Sequence, residues 1–206
     1  MAGILNAIFY TSIQDNFKKK CLTLFSDAYS SSIVNRDIST TLHENDISAI
    51  LNNYIDNNPK RKKWHISSEI EHYIFDKTIT NYHTGFAGKQ SRIDFKFGNF
   101  WNGNEFKYFV EAKNLKSNDS SLKRRYIKTG IDNFLAGGKY QNCDGFLVGY
   151  VLEGTINNCK DGVNKLLVSD GRNTEVLNLN NLFTFDSFLS SHPNRDLDHF
   201  FLSYQV

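Results

Sequence analysis

A chain of 206 residues, 40% apolar and 22% charged, is long enough to bury one substantial core and too rich in apolar residues to stay disordered. Its formal charge of +2 does not by itself announce a nucleic-acid binder, so such a role must rest on the local clusters Lys18-Lys19-Lys20, Lys60-Arg61-Lys62-Lys63 and Lys123-Arg124-Arg125. Cys21, Cys143 and Cys159 form no C-x-x-C pair, which argues against a disulfide framework or a zinc site and fits a cytoplasmic protein; without a basic leader or any run of about 18 apolar residues, neither export nor a membrane span is expected.

Ile13, Phe17, Cys21, Leu24 and Ala28 recur at steps of three and four and predict an amphipathic helix from Ile13 to about Ala28, followed by a polar stretch from Ser30 to Thr40. Thr41-Leu42-His43-Glu44 reads as a capping box opening a second helix that runs to about Asn57 and stops before Pro59. Ile47, Ile50, Leu51, Tyr54 and Ile55 form its apolar stripe. Glu44 stands on that stripe, aimed inward or at the core's edge, although capping alone would account for it. A basic loop at 60–63 leads into a strand from Trp64 to Phe75, with Glu69 and Glu71 on its solvated face. Asn81 to Gln90, with Gly85 and Gly88, is a loop.

Ser91 to Asn114 reads as two strands around a tight turn. Ile93, Phe95 and Phe97 alternate with Arg92, Asp94 and Lys96, and Phe106, Tyr108, Val110 and Ala112 alternate with Lys107, Glu111 and Lys113; Phe109 alone departs. Asn102-Gly103 suits a type I′ turn. Counting outward from it sets Phe100 opposite Glu105, Phe97 opposite Tyr108, Phe95 opposite Val110 and Asp94 opposite Glu111, unless a bulge at Gly98 shifts the register. Two opposed carboxylates are unfavourable in a bare sheet. Lys113 offsets one of them and leaves room for a bound cation.

Downstream, a helix is expected from about Leu122 to Leu135, ending at Gly137-Gly138, with Ile127, Ile131, Phe134 and Leu135 inward and Lys123, Arg124 and Lys128 largely elsewhere. Gly145 to Glu153 is apolar enough to be a strand buried on both faces, joined to the hairpin by a parallel crossover. Ile156 to Val168 predicts a helix and Thr174 to Leu182 a strand. Phe200, Leu202, Tyr204 and Val206 predict a closing strand, a candidate dimer interface if it forms a sheet edge. His65, His72 and His83 are scattered and read as structural or surface residues.

The order helix, strand, strand, strand, helix, strand, with an Asp on the second strand and Glu-Ala-Lys on the third, resembles the PD-(D/E)xK nuclease superfamily, the restriction-endonuclease-like fold. The resemblance covers a core from about 41 to 153 within one domain of 1–206, an α/β fold whose mixed central sheet is flanked by helices, with an extra N-terminal helix and C-terminal strand. Asp94 matches the motif's first acid, although Ile93 precedes it where the pattern's name has proline. Glu111 matches the second acid, Lys113 the lysine and Glu44 the helical acid. Glu44 to Ser48, Gly130-Ile131, Gly138-Lys139-Tyr140 and the Gly145-to-Tyr150 strand further resemble bacterial defence-associated members.

The resemblance implies a metal-dependent endonuclease acting on DNA, with RNA not excluded, in a defence or restriction setting. Asp94, Glu111 and the Ala112 carbonyl would ligate Mg²⁺ or Mn²⁺, with Glu44 holding a water of that ion or helping to bind a second. Lys113 would orient the attacking water or stabilise the phosphorane. Lys123, Arg124, Arg125 and Lys128, together with Lys60, Arg61, Lys62 and Lys63, are the expected phosphate contacts. Dimers are common in such folds. The rival reading is an inactive nucleic-acid- or protein-binding module of the same fold, a subunit of a larger complex, and a salt-bridged surface cluster is the plain structural alternative for the trio.

Overall fold

The computed structural model describes residues 2–74, 84, 90–101, 103–180 and 186–205. Its elements, in chain order, are α1 (Ala2–Asn35), α2 (Glu44–Asn57), α3 (Pro59–Lys63), β1 (Ser67–Ile74), β2 (Ser91–Trp101), β3 (Asn104–Lys116), α4 (Ser120–Arg125), a π-helical turn (Tyr126–Ile131), α5 (Asp132–Phe134), β4 (Gly145–Glu153), α6 (Ile156–Ser169), a 3-10 turn (Asn173–Glu175), β5 (Asn178–Leu179), β6 (Ser187–His192) and β7 (Arg195–Ser203). Seven strands form one mixed sheet in the order β1-β2-β3-β4-β7-β6-β5. β3, β4 and β7 run parallel to one another, and the remaining pairs are antiparallel.

Apolar alternation along the central strands divides the core between the two faces of the sheet. Phe146, Val148, Tyr150 and Leu152 of β4 pack with Phe95, Phe97, Tyr108 and Val110 beneath α1 and α2. Leu147 and Val151 join Tyr126, Ile127, Ile131, Phe134 and the α6 residues Cys159, Val163 and Leu167 on the other face. Phe25 of α1 sets its ring edge-on to both Phe95 and Phe146, at centroid distances of 5.4 and 5.5 Å. Each such buried Phe contributes about 2–3 kcal/mol. The strand expected to be buried on both faces, Gly145 to Glu153, is β4 with the same bounds.

The first helix is longer than its apolar stripe indicates and reaches Asn35 through the serines that read as a polar break. Ser32 is buried and donates its hydroxyl to Tyr29 O at 2.8 Å, so the run satisfies itself within the helix. α2 starts at Glu44, with His43 as N-cap and the Asp46 carboxylate accepting from His43 N–H at 3.1 Å. The capping box is therefore His43 to Asp46, two residues later than Thr41 to Glu44, and Glu44 is released from capping. Residues 60–63 form the short α3 where a loop was expected, with Pro59 at its first turn.

β1 begins at Ser67, later than the expected Trp64, and is mostly exposed; even Ile70, opposite in facing to Glu69 and Glu71, is 40% exposed on this edge strand. Its ladder with β2 skips one position: Ile70 pairs with Phe95 and His72 with Ile93, while Glu71 takes φ +50 opposite Asp94. The hairpin register follows the count from the turn, with Phe95 opposite Val110, Phe97 opposite Tyr108 and Phe100 opposite Glu105, and it runs unshifted through Gly98. Gly103 takes φ +77, as the turn requires. The loop assigned to Asn81–Gln90, apart from positions 84 and 90, lies outside the described residues, as do Phe75, His83, Asn102, Leu182 and Val206.

The crossover from β3 to β4 runs parallel as expected, but its helix contains a π-helical turn, whose first residue, Tyr126, is fully buried. The C-terminal part holds more than one added strand, because β5 and β6 pair beyond β7. β7 consequently lies between β4 and β6 and offers no open edge for a dimer. The strand expected from Thr174 shrinks to Asn178–Leu179 after the 3-10 turn. All three cysteines are free and buried. Among the described residues no helix is long and apolar enough to cross a membrane.

Candidate functional site

Where β2 and β3 leave their ladder, Asp94 is the next residue after Phe95 and Glu111 the next after Val110, and both carboxylates meet the side chain of Lys113. The Lys113 ammonium donates to Glu111 Oε1 at 2.6 Å, to the Ala112 carbonyl at 2.6 Å and to Glu44 Oε1 at 3.2 Å, and it lies 3.8 Å from Asp94 Oδ2. Asp94 Oδ2 accepts from Ala112 N–H at 2.6 Å, so this side chain stands in for a ladder bond. Glu44, at the first turn of α2, accepts from Asn114 N–H at 3.0 Å and from the Arg125 guanidinium at 3.0 Å. The four residues singled out by the hairpin and the capping segment thus converge on one point from α2, β2 and β3.

This cluster is buried: Glu111 is 5% exposed, Lys113 4% and Glu44 9%. Burial raises the Glu111 carboxyl to about 8, with Asp94 adding to the rise and Lys113 opposing it. Burial likewise lifts Asp94 above its ordinary value, against the pull of Lys113 and the Ala112 N–H. Burial alone would lower Lys113, but Glu111, Asp94 and Glu44 outweigh it and hold the ammonium firmly charged. With all groups ionised, three carboxylates face the two cations Lys113 and Arg125, which leaves one negative charge in a place where charge is costly.

Among the described residues no trio of His, Cys, Asp or Glu is gathered as a ready-made metal cage. Between the carboxylates sits an ammonium, and the Ala112 carbonyl is engaged by that same ammonium. Two features nonetheless suit a hard divalent cation. The donors are all oxygens, and Glu111 Oε2 is buried without a hydrogen-bond partner. Asn114 Oδ1, just beyond, is also buried and unpartnered. An all-oxygen donor set with one unsatisfied carboxylate oxygen is chemistry that fits a hard cation such as Mg²⁺.

Two neighbours escaped the reading of the site. Tyr140 gives its hydroxyl proton to Arg92 O, and its phenol is pushed up by burial and then by Glu111 and Asp94, which places it beside the acids. A polar cleft of about 410 Å³ opens on Asp94 and is lined also by Asn45, Glu71, Arg92 and Lys139. Glu71 accepts from Asn45 at 3.2 Å there and stays exposed, as expected of the strand's solvated face. Tyr140 and Lys139 follow the Gly138 that closes the crossover helix, and only that tripeptide hinted at them.

The expected phosphate contacts fare unequally. Lys123 is buried, donating to Ser117 O at 2.6 Å with its stem against Gly162, and so it is not available to a phosphate. Arg124 is paired with Asp170. Arg125 belongs to the carboxylate cluster through Glu44, and Lys128 pairs with Asp132 at 3.4 Å. Lys60 pairs with Asp27 at 2.8 Å, and Arg61 caps the end of α2 through Asp56 O at 3.1 and 3.2 Å. Lys62 and Lys63 are exposed and make no ion pair among the described residues. No protein family, curated protein or solved structure matches the chain.

Proposed function

We propose that this chain is a Mg²⁺-dependent endonuclease of the PD-(D/E)xK kind that hydrolyses phosphodiester bonds of DNA, in a bacterial defence or restriction setting. The observation that carries the reading is the convergence of Asp94, Glu111, Lys113 and Glu44 at the point where β2 and β3 separate. The element order from α2 through β4, with three antiparallel strands and a crossover into a parallel one, supports a restriction-endonuclease-like core. Glu111, a buried carboxyl raised to about 8 beside Asp94 and Lys113, is the kind of perturbed acid that gathers at functional sites.

Asp94, Glu111 and the Ala112 carbonyl would hold the ion, which supplies charge neutralisation at the phosphate and an activated water. Glu44 holds Asn114 N–H and Arg125, and so ties α2 to β3 and to the end of α4. Lys113 is held protonated by three carboxylates and so is a poor general base. Its part is to donate hydrogen bonds, orienting the attacking water or meeting the negative charge that grows on the phosphoryl oxygens. The cleft bounded by Asn45, Arg92 and Lys139 gives the phosphate chain a polar approach to Asp94.

The test is cleavage of plasmid and short duplex DNA, and of RNA of the same sequence, with Mg²⁺ or Mn²⁺. Wild type should cut DNA, whereas Asp94→Ala, Glu111→Ala and Lys113→Ala should each fall by about 100-fold or more. Activity surviving all three substitutions would sink the assignment. One observation favours the second reading, a binding module without catalysis: the ammonium of Lys113 already sits among the carboxylates. Calorimetric titration with Mn²⁺ separates the two, because such a module would show no heat of binding that depends on Asp94 and Glu111.

A further inference from the structure

At the far end of the hairpin from the carboxylates lies a second cleft, of about 420 Å³, between α1, the α3–β1 connection and the hairpin tip. Trp101 is seven residues from Asp94, or about 23 Å along the strand. The cleft is walled by Phe17 and Lys20 of α1, by Lys63, Trp64 and His65, and by Phe100, Trp101 and Phe106. Among the described residues no Asp or Glu lines it.

Its aromatic rings are presented outward. Phe100 is 77% exposed and Trp101 41% exposed at the hairpin tip. Tyr10, 44% exposed, rests its ring 5.3 Å from that of Phe106 and extends the apolar surface along α1. The walls are fixed: Asn99 donates to Trp64 O at 3.0 Å and to His65 O at 2.9 Å, tying the hairpin to the α3–β1 connection. Lys20 holds its ammonium 5.7 Å from the centre of the Trp64 ring. Lys62 and Lys63 are exposed without ion pairs among the described residues, and exposed Lys19 adjoins Lys20.

Exposed rings set among unneutralised lysines, with no carboxylate on the wall, suit a polyanion that carries flat π faces. A duplex keeps its base faces inside the stack, whereas a single strand offers them. We infer that this cleft binds a single-stranded segment of nucleic acid, with bases stacked on Trp101 and Trp64 and phosphates met by Lys20, Lys62 and Lys63. It is a site separate from the carboxylate cluster. The inference draws on the proposed nuclease reading only in choosing nucleic acid over an acidic peptide, and the rings argue the same way. An unpaired stretch held here would direct the enzyme to substrates that combine duplex with single strand.

The experiment is fluorescence anisotropy of the full chain with a labelled oligothymidylate of about a dozen nucleotides, in EDTA so that nothing is cut. Binding should weaken at least fivefold in Trp101→Ala, be largely restored in Trp101→Phe and change little in Phe100→Ala, whose ring lies on the other face of the strand. Lys62→Ala with Lys63→Ala should make the salt dependence of binding shallower. Equal affinity for a blunt duplex of the same length, or no loss in Trp101→Ala, would overturn the inference. Poly-glutamate binding as tightly and lost with the same variants would overturn it in favour of an acidic peptide. The two readings fail separately: metal-dependent cutting of duplex DNA without oligothymidylate binding removes this cleft alone, and oligothymidylate binding without any cutting removes the nuclease alone.

Discussion

Glu111→Gln should make the metal-free protein more stable while abolishing the proposed DNA cleavage. Glu111 is 5% exposed and its carboxyl is raised from 4.5 to about 8. A raised acid contributes stability that is complete below its unfolded value and is lost as pH climbs towards the folded value, because the unfolded chain releases its proton first. At about 1.4 kcal/mol per pH unit, the climb from 4.5 to neutral pH sets an upper bound of about 3.4 kcal/mol. Gln has no proton to release, keeps a carbonyl for Lys113 at the 2.6 Å contact and leaves Asp94 and Glu44 facing Lys113 and Arg125 in even balance. Shared compensation with Lys113 takes back part of the bound, so the expected gain is about 2 kcal/mol at pH 7 and close to zero near pH 4.5. The assay is urea unfolding of both proteins in EDTA across that range, compared at equal slope. A variant less stable than wild type at neutral pH, or a difference that does not change with pH, would refute the account of this site as a place where stability is given up for function.

Glu44→Ala strips partners from Lys113, Arg125 and Asn114 N–H together and should cost about 3 kcal/mol in urea unfolding. His199 is fully buried and held neutral, its value lowered by burial and then by His192 to about 3. Stability should therefore be complete above the ordinary 6.5 and decline below it by up to about 1.4 kcal/mol per pH unit, a slope that His199→Gln should flatten. Gly138→Ala would drive a methyl into the backbone of Asp132 and Asn133, with an expected loss of about 2–3 kcal/mol and displacement of Tyr140 beside the acids, read as a lower thermal midpoint together with weaker Mn²⁺ binding.

The hairpin was legible because two independent rules agreed on it. Strand alternation fixed which residues share a face, and Asn102-Gly103 fixed where counting begins; a slip of one residue would have turned Phe95 and Phe97 out of the core. β4 was legible through its unbroken apolar run, and the crossover through its Gly-terminated helix. Glu44 was only half legible. Thr41-x-x-Glu44 and His43-x-x-Asp46 are staggered boxes of similar local merit, and the choice between them is made by groups far along the chain, Lys113, Asn114 and Arg125, which claim the Glu44 carboxylate. Positive runs misled for a related reason: a lysine's charge is visible in the sequence, but whether a backbone carbonyl such as Ser117 O has taken it is not.

β6 was missed because only Phe188 among its inward residues is apolar and the next two on that face are polar. Ser190 and His192 lie in the core, where period counting looks for Val, Ile or Phe, and their burial is made tolerable by partners that only the fold supplies. Tyr126 OH bonds His199 Nδ1 at 2.8 Å, His199 Nε2 and His192 Nε2 each bond Ser190 Oγ at 2.7 Å, and His192 Nδ1 meets Glu175 at 2.5 Å. Arg172 then anchors Glu175 at 2.6 Å and Asp132 at 2.7 Å. The chain of bonds begins on Tyr126, the first residue of the π-helical turn, and returns through Asp132, the residue just after it. Arg125, which reaches Glu44, immediately precedes that turn, and Gly130 within it lies against the Lys113 stem. The polar strand that apolar counting overlooked thus braces both ends of the segment on which Arg125 and the packing of Lys113 depend.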